Sequence, residues 1–183
     1  MNFESLGLSI EVQQALTAAG YQMPTPVQSK TIPAILKGDD VLVAAQTGTG
    51  KTAGFVAPML DILNNAAAPT ANHVKGLILS PTRELAVQLH QAIIDYGRYS
   101  GLRSAVVFGG VKINPQMMSL RKGVHLLVAT PDRLLDLQRQ NAIAFDQLKI
   151  FVLDEADKLM SLGFREEINQ LLDILPRKRQ TLM

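Results

Sequence analysis

VLVAAQTGTGKTAGF, residues 41–55, sets a short apolar run before a glycine-bearing loop and then a helix-compatible segment. Val41–Ala45 reads as a strand, and Lys51 to Leu63 keeps a helical pattern. Between them, Gly48 and Gly50 permit the turn that points successive backbone N–H groups inward, toward phosphate oxygens. A helix starting near Lys51 adds the positive end of its dipole. In this context AQTGTGKT (45–52) reads as a phosphate loop walled by Ala45, Gln46, Thr47, Gly48, Thr49 and Gly50. Lys51 would reach the β- and γ-phosphates, and the Thr52 hydroxyl would ligate Mg²⁺. The generic pattern opens with glycine, where this chain has Ala45. The plain alternative is a glycine turn before a helix with an incidental lysine.

The same alternation continues along the chain. Gly76–Ser80, Ala105–Phe108, His125–Ala129 and Ile150–Leu153 are short apolar runs that end at small or polar residues, as buried parallel strands do. A sixth begins at Thr181. Leu85, Leu89 and Ile93 recur at helical spacing, as do Phe164, Ile168, Leu171, Leu172 and Leu175. Asn114 before Pro115 reads as a helix N-cap. Strands alternating with helices imply an α/β fold with a mainly parallel sheet, whose ligands bind at the carboxyl ends of the strands. The first forty residues differ: Val12–Ala19 and Val27–Leu36 read as helices stopped by Gly20 and Gly38. Residues 1–38 are therefore expected as a helical region and 39–183 as the sheet-bearing lobe. Asn64 to Asn72 reads as a surface loop.

FVLDEADKLM (151–160) places Asp154, Glu155 and Asp157 directly behind an apolar run. Two carboxylates ~5 Å apart repel by roughly 3 kcal/mol at an effective dielectric of about 20. A helix start accounts for part of this acidity. A phosphate loop supplies the stronger reason, because such a site needs an acid at the exit of a second strand to hold Mg²⁺. Asp154 stands in that position, and Glu155 beside it is suited to orient an attacking water.

Asp154-Glu155-Ala156-Asp157 spells D-E-A-D. With AQTGTGKT upstream, the chain resembles the first RecA-like lobe of a DEAD-box ATP-dependent RNA helicase, nearly end to end. GYQMPTPVQ (20–28) resembles the Q motif, PTRELA (81–86) motif Ia, Gly109-Gly110 the glycine doublet and TPDR (130–133) motif Ib. Ala45 is what that family carries at the start of its loop. VVFGGVKINPQMM (106–118) most resembles the bacterial RhlE-like branch. The resemblance implies a three-layer RecA-like P-loop fold that uses ATP and Mg²⁺. It implies Tyr21 stacking on adenine, Phe3 packing behind Gln28, and Asp157 coupling the site to a second lobe. It implies an RNA path along Pro81, Thr82, Arg83, Gly109, Gly110, Thr130 and Arg133, with contacts to phosphates and sugars. The Gln28 amide can pair with the N6 and N7 edge of adenine. Motif Ib usually reads T-P-G-R, and Asp132 replaces that glycine here. Motif III and the second lobe are absent from these 183 residues, so the chain alone is expected to bind nucleotide without unwinding RNA.

Composition narrows the alternatives. Hydrophobic residues make up 47%, enough for a core without staples, and cysteine is absent, which removes disulfides and zinc–thiolate sites. His73, His90 and His125 are scattered without ligand spacing. The N-terminal stretch lacks the marks of a signal peptide and no run is long enough to cross a membrane, so a cytoplasmic setting is expected. A net charge of +2 does not by itself argue for nucleic acid. A binding module without turnover and another class of P-loop enzyme remain the rival readings.

Overall fold

The computed structural model describes residues 2–46 and 48–183. Five strands, β1 (Val74–Leu79), β2 (Ser104–Val107), β3 (Val124–Ala129), β4 (Ile150–Leu153) and β5 (Gln180–Leu182), pair in the order β2-β3-β1-β4-β5. Every pairing is parallel. Leu79 lies opposite both Ala129 and Leu153, so the strands end level and their exits share one edge of the sheet.

Among the described residues, eight α-helices cover the two faces: α1 (Ile10–Ala18), α2 (Pro26–Lys37), α3 (Lys51–Asn64), α4 (Arg83–Tyr96), α5 (Ile113–Leu120), α6 (Pro131–Arg139), α7 (Ala156–Ser161) and α8 (Arg165–Ile174). All six residues of β1 are buried, and its alternate side chains feed two separate cores. Ile78 joins Leu16, Ile32, Val56, Leu60, Leu89 and Ile93 on one face. Leu77 and Leu79 join Leu134, Leu137, Leu159 and Leu171 on the other. That is the three-layer α/β architecture expected, with the N-terminal helices packed into the layer that holds α3 and α4. No helix among the described residues is long and apolar enough to cross a membrane.

Two local devices tie the N-terminal helices down. The buried Asp61 of α3 accepts the Ser9 N–H at 2.7 Å and the Ser9 hydroxyl, anchoring the start of α1. Thr25 and Gln28 form a reciprocal capping box at the start of α2: the Thr25 N–H donates to Gln28 Oε1 at 3.0 Å, and the Gln28 N–H to Thr25 Oγ1 at 3.4 Å. Thr25→Ala is expected to cost about 1 kcal/mol, the usual worth of such a cap. The midpoint of thermal unfolding should fall by roughly 2–4 °C. An unchanged midpoint would contradict the cap.

Two sequence expectations need correction. Val41–Ala45 is not a full strand. Val41 forms a single parallel bridge with Leu182, and the Val43 N–H donates to the Met183 carbonyl at 2.6 Å. The Val41 N–H also donates to the Thr181 carbonyl at 3.1 Å and its carbonyl accepts the Met183 N–H at 2.9 Å, so the run pairs only along Val41 to Val43. Leu42 consequently stands 76% exposed instead of buried. The helix after the glycine doublet starts at Ile113 with Lys112 at its N-cap, not at Asn114. The Gln116 side chain clasps both the N–H and the carbonyl of Phe108, drawing the first turn back onto the end of β2.

Candidate nucleotide and nucleic-acid site

The level strand ends place the motifs that follow β1 to β4 on one rim. Sheet order divides that rim in two. The exits of β2, β3 and β1 carry Gly109-Gly110, Thr130 to Arg133, and Pro81 to Arg83. The exit of β4 carries Asp154 to Asp157, next to the loop that leads into α3. The division falls between the adjacent strands β1 and β4.

In the second half, a cleft of about 390 Å³ brings together Tyr21, Gly48, Gly50, Lys51, Thr52, Asp154 and Glu155. Its remaining wall is α4, through Leu85, Gln88, Leu89, Ala92 and Tyr96. Gly48 and Gly50 have φ of +82° and +86°, and Gly50 is the N-cap of α3. A β-carbon on Gly50 would lie 2.5 Å from Gln28 Nε2, so glycine is needed there for space as well as conformation. Lys51 opens the helix, and its Nζ donates to the Ala45 carbonyl at 2.6 Å, closing the loop on itself. The Thr49 hydroxyl donates to the Gln46 carbonyl at 2.8 Å. Thr52 is half-buried in the first turn. Thr47 lies outside the described residues. A second, smaller cleft of about 210 Å³ shares Lys51, Asp154 and Glu155, but its other walls include Val27, Ile35, Phe55 and Met183. Only the larger one also includes both loop glycines and Thr52, so it is the one that fits phosphates.

The acids behind β4 are held in a high-energy arrangement. Burial and the neighbouring Glu155 charge push Asp154 up to about 6, against a lesser downward pull from Lys51 and a hydrogen bond to the Glu155 backbone. Glu155 adopts φ 50°, ψ 52°, a left-handed conformation that non-glycine residues rarely hold without cause. Its carboxylate meets Lys158 Nζ at 3.4 Å. Asp157 is exposed and makes no hydrogen bond or ion pair among the described residues. No group of three or more His, Asp or Glu residues able to hold a metal by themselves occurs among the described residues.

Gln28 lies differently from the expectation that its amide faces a base. It is fully buried, its Oε1 taken by the Thr25 N–H and its Nε2 donating to the Gly50 carbonyl at 3.0 Å. It therefore staples the start of α2 to the phosphate loop. Tyr21 is half-buried, and its hydroxyl shares a hydrogen bond of 2.8 Å with that of Tyr96. Phe3 is buried and meets Tyr21 edge-on with ring centroids 6.4 Å apart.

In the first half, Thr82 caps α4 by accepting the Leu85 N–H at 3.3 Å, and Pro81 is buried behind it. Arg83 is exposed and lies over the Phe108 ring at 4.8 Å. Gly110 is exposed with φ +79°. Thr130 and Arg133, which the resemblance places on the RNA path, are not presented to solvent. They are 5% and 7% exposed, and Arg133 Nη2 donates to the Val111 carbonyl at 2.8 Å, bracing the glycine loop from beneath. Asp132 is exposed, with Oδ2 2.6 Å from where a β-carbon on Gly109 would sit. Tyr96 belongs to none of the sequence motifs, although extending the 85-89-93 stripe by three residues reaches it; Phe108 and Lys158 lie within quoted stretches, but no contact of theirs is legible there.

Residues 25–183 match the family model described as DEAD/DEAH box helicase. The whole chain is 39% identical to a DEAD-box ATP-dependent RNA helicase CshA of Streptococcus pneumoniae, of which it covers 34%. It is 42% identical to an ATP-dependent RNA helicase CshA of Limosilactobacillus reuteri, of which it covers 36%. The chain thus spans about a third of these relatives' length. A crystal structure of a DEAD box protein from the hyperthermophile Methanococcus jannaschii superposes on the whole chain and on 49% of that protein, with a TM-score of 0.91 at 33% identity. With Asp154, Glu155 and the phosphate loop facing one cleft, this chain belongs to the DEAD/DEAH box helicase family.

Proposed function

We propose that the chain is the ATP- and RNA-binding lobe of an ATP-dependent RNA helicase, of the RhlE-like branch, acting in the cytoplasm on short RNA duplexes together with a second RecA-like lobe. The observation that carries this reading is the single cleft shared by Tyr21, the loop glycines, Lys51, Thr52, Asp154 and Glu155. Lys51 and the backbone N–H groups at the start of α3 hold the phosphates. Thr52 and Asp154 would hold Mg²⁺. The residues fit that ion: a hydroxyl and a carboxylate line one cleft, and the carboxylate is destabilised by burial and a neighbouring charge, so a cation there is favoured. The ion supplies countercharge to the phosphates. Glu155, fixed by its left-handed backbone and Lys158, orients a water. Asp157 faces solvent, available to a second lobe.

The same rim carries RNA on the other side of the β1–β4 division. Thr82, Arg83, Gly109 and Gly110 offer donors and close backbone approach to phosphates, and Arg133 braces the glycine loop from beneath. Such contacts are independent of base sequence.

Calorimetry of ADP and ATP with Mg²⁺ on the 183-residue chain tests the nucleotide half. Saturable binding is expected, and no binding up to millimolar nucleotide would sink the reading. On the RNA half, Asp132 puts an exposed negative charge beside the glycine doublet. Removing one such charge near a phosphate is worth about 0.5–1 kcal/mol at low salt. Asp132→Gly should therefore tighten binding of single-stranded RNA roughly 2- to 5-fold, with the gain fading as salt rises. Equal affinities at low salt in a fluorescence-anisotropy titration would show that Asp132 does not face the RNA.

A further inference from the structure

Tyr21 sits in the loop between α1 and α2, half-buried at the rim of the nucleotide cleft. A lone aromatic ring on a loop loses rotamer freedom whenever a ligand stacks on it. Here that ordering is already built in. Tyr96, in the last turn of α4 and 8% exposed, shares a hydrogen bond of 2.8 Å with the Tyr21 hydroxyl. The two rings meet edge to face, centroids 5.7 Å apart at 83°. Phe3 adds a second edge contact at 86°. Burial, then the Tyr21 hydrogen bond, raise the Tyr96 hydroxyl above the usual phenol range. Tyr96 contributes to the same cleft wall as Leu89 and Ala92, whereas the phosphate-binding elements Gly48, Gly50, Lys51 and Thr52 form another part of it.

We propose that Tyr96 is a positioning residue for base recognition: through its hydroxyl and ring edge it fixes Tyr21 as the platform on which the nucleotide base stacks. This rests on the nucleotide reading above and extends it to a residue 75 positions away from Tyr21 in the chain. Tyr96 thereby tunes affinity for the nucleoside part of the ligand and leaves the phosphate part alone.

The test compares Mg²⁺-ADP with Mg²⁺-pyrophosphate by calorimetry on the wild-type chain, Tyr96→Phe, Tyr21→Phe and the double variant. Tyr96→Phe keeps the ring and removes only the hydroxyl. Loss of one hydrogen bond predicts ADP affinity roughly 2- to 10-fold weaker, with pyrophosphate affinity unchanged. Tyr21→Phe breaks the same bond from the more exposed side and covers the case in which the buried variant does not fold. Because both changes delete one shared bond, the double variant should be no weaker than either single variant. Unchanged ADP affinity in the single variants overturns the proposal, and so does an equal loss for pyrophosphate, which would mark a general disturbance of the cleft. A wild-type chain that binds pyrophosphate with no preference for ADP overturns the platform but not the phosphate site. Failure to bind either ligand overturns the nucleotide reading itself.

Discussion

Lys51→Ala is expected to weaken Mg²⁺-ADP binding about 10- to 100-fold, the affinity equivalent of losing charge-assisted hydrogen bonds worth about 1.5–3 kcal/mol. Lys51 opens α3, lines the nucleotide cleft and reaches back to the Ala45 carbonyl, so its ammonium lies within the loop that would hold phosphate. It is also the side-chain cation that offsets the proton affinity of Asp154. Its removal takes a positive charge from the phosphates and leaves the acids behind β4 less compensated. Two features separate this effect from that of Tyr96. Pyrophosphate binding falls along with ADP binding, because the lost contact is to phosphate. The fold changes little, because the side chain is only half-buried and its one hydrogen bond lies within its own loop. Calorimetry with both ligands checks this. An ADP affinity within about 3-fold of wild type would mean that Lys51 contributes less than one ordinary hydrogen bond and that phosphate is held elsewhere.

The motifs were legible because a parallel sheet binds ligands at strand exits, and those exits need residues that a buried strand does not tolerate. Glycines at 48 and 50, acids at 154 and 155, and the arginine at 83 each break an apolar pattern at one predictable place. What holds these residues was not legible. Tyr96 meets Tyr21 across 75 positions and Asp61 meets Ser9 across 52, and no local period encodes such pairs. Arg133 reads as part of an RNA path until the fold turns its guanidinium toward the Val111 carbonyl. Gln28 reads as a free amide until its own helix cap and the Gly50 carbonyl consume it. Val41–Ala45 has the composition of a strand, but strand formation belongs to a pair, and this run is paired with the β5 segment through Val41 and Val43 alone.

Asp154→Asn is expected to stabilise the chain in metal-free buffer at pH 7.5 by about 1–3 kcal/mol. Folding raises the Asp154 pKa from the ordinary 3.8 to about 6, chiefly by burial and then by the Glu155 charge. The native state therefore holds this proton more tightly than the unfolded state does. Stability falls as pH rises between about 4 and 6, and the penalty is complete above that window. Every tenfold gain in proton affinity corresponds to about 1.4 kcal/mol, and the partial exposure of the side chain keeps the effect at or below the full amount. Asparagine keeps the shape and removes the charge, so the gain should be present at pH 7.5 and lost near pH 3.5, where aspartate is largely neutral in both states. In thermal unfolding the gain corresponds to roughly 2–4 °C per kcal/mol. Asp157→Asn, at an exposed position three residues on, should stay within about 0.5 kcal/mol of wild type. A variant no more stable than wild type at pH 7.5, or one whose gain persists at pH 3.5, would contradict the burial argument. Most substitutions at a buried position destabilise. A gain here would identify Asp154 as a carboxylate kept at the expense of stability, as expected of a residue placed to meet a cation.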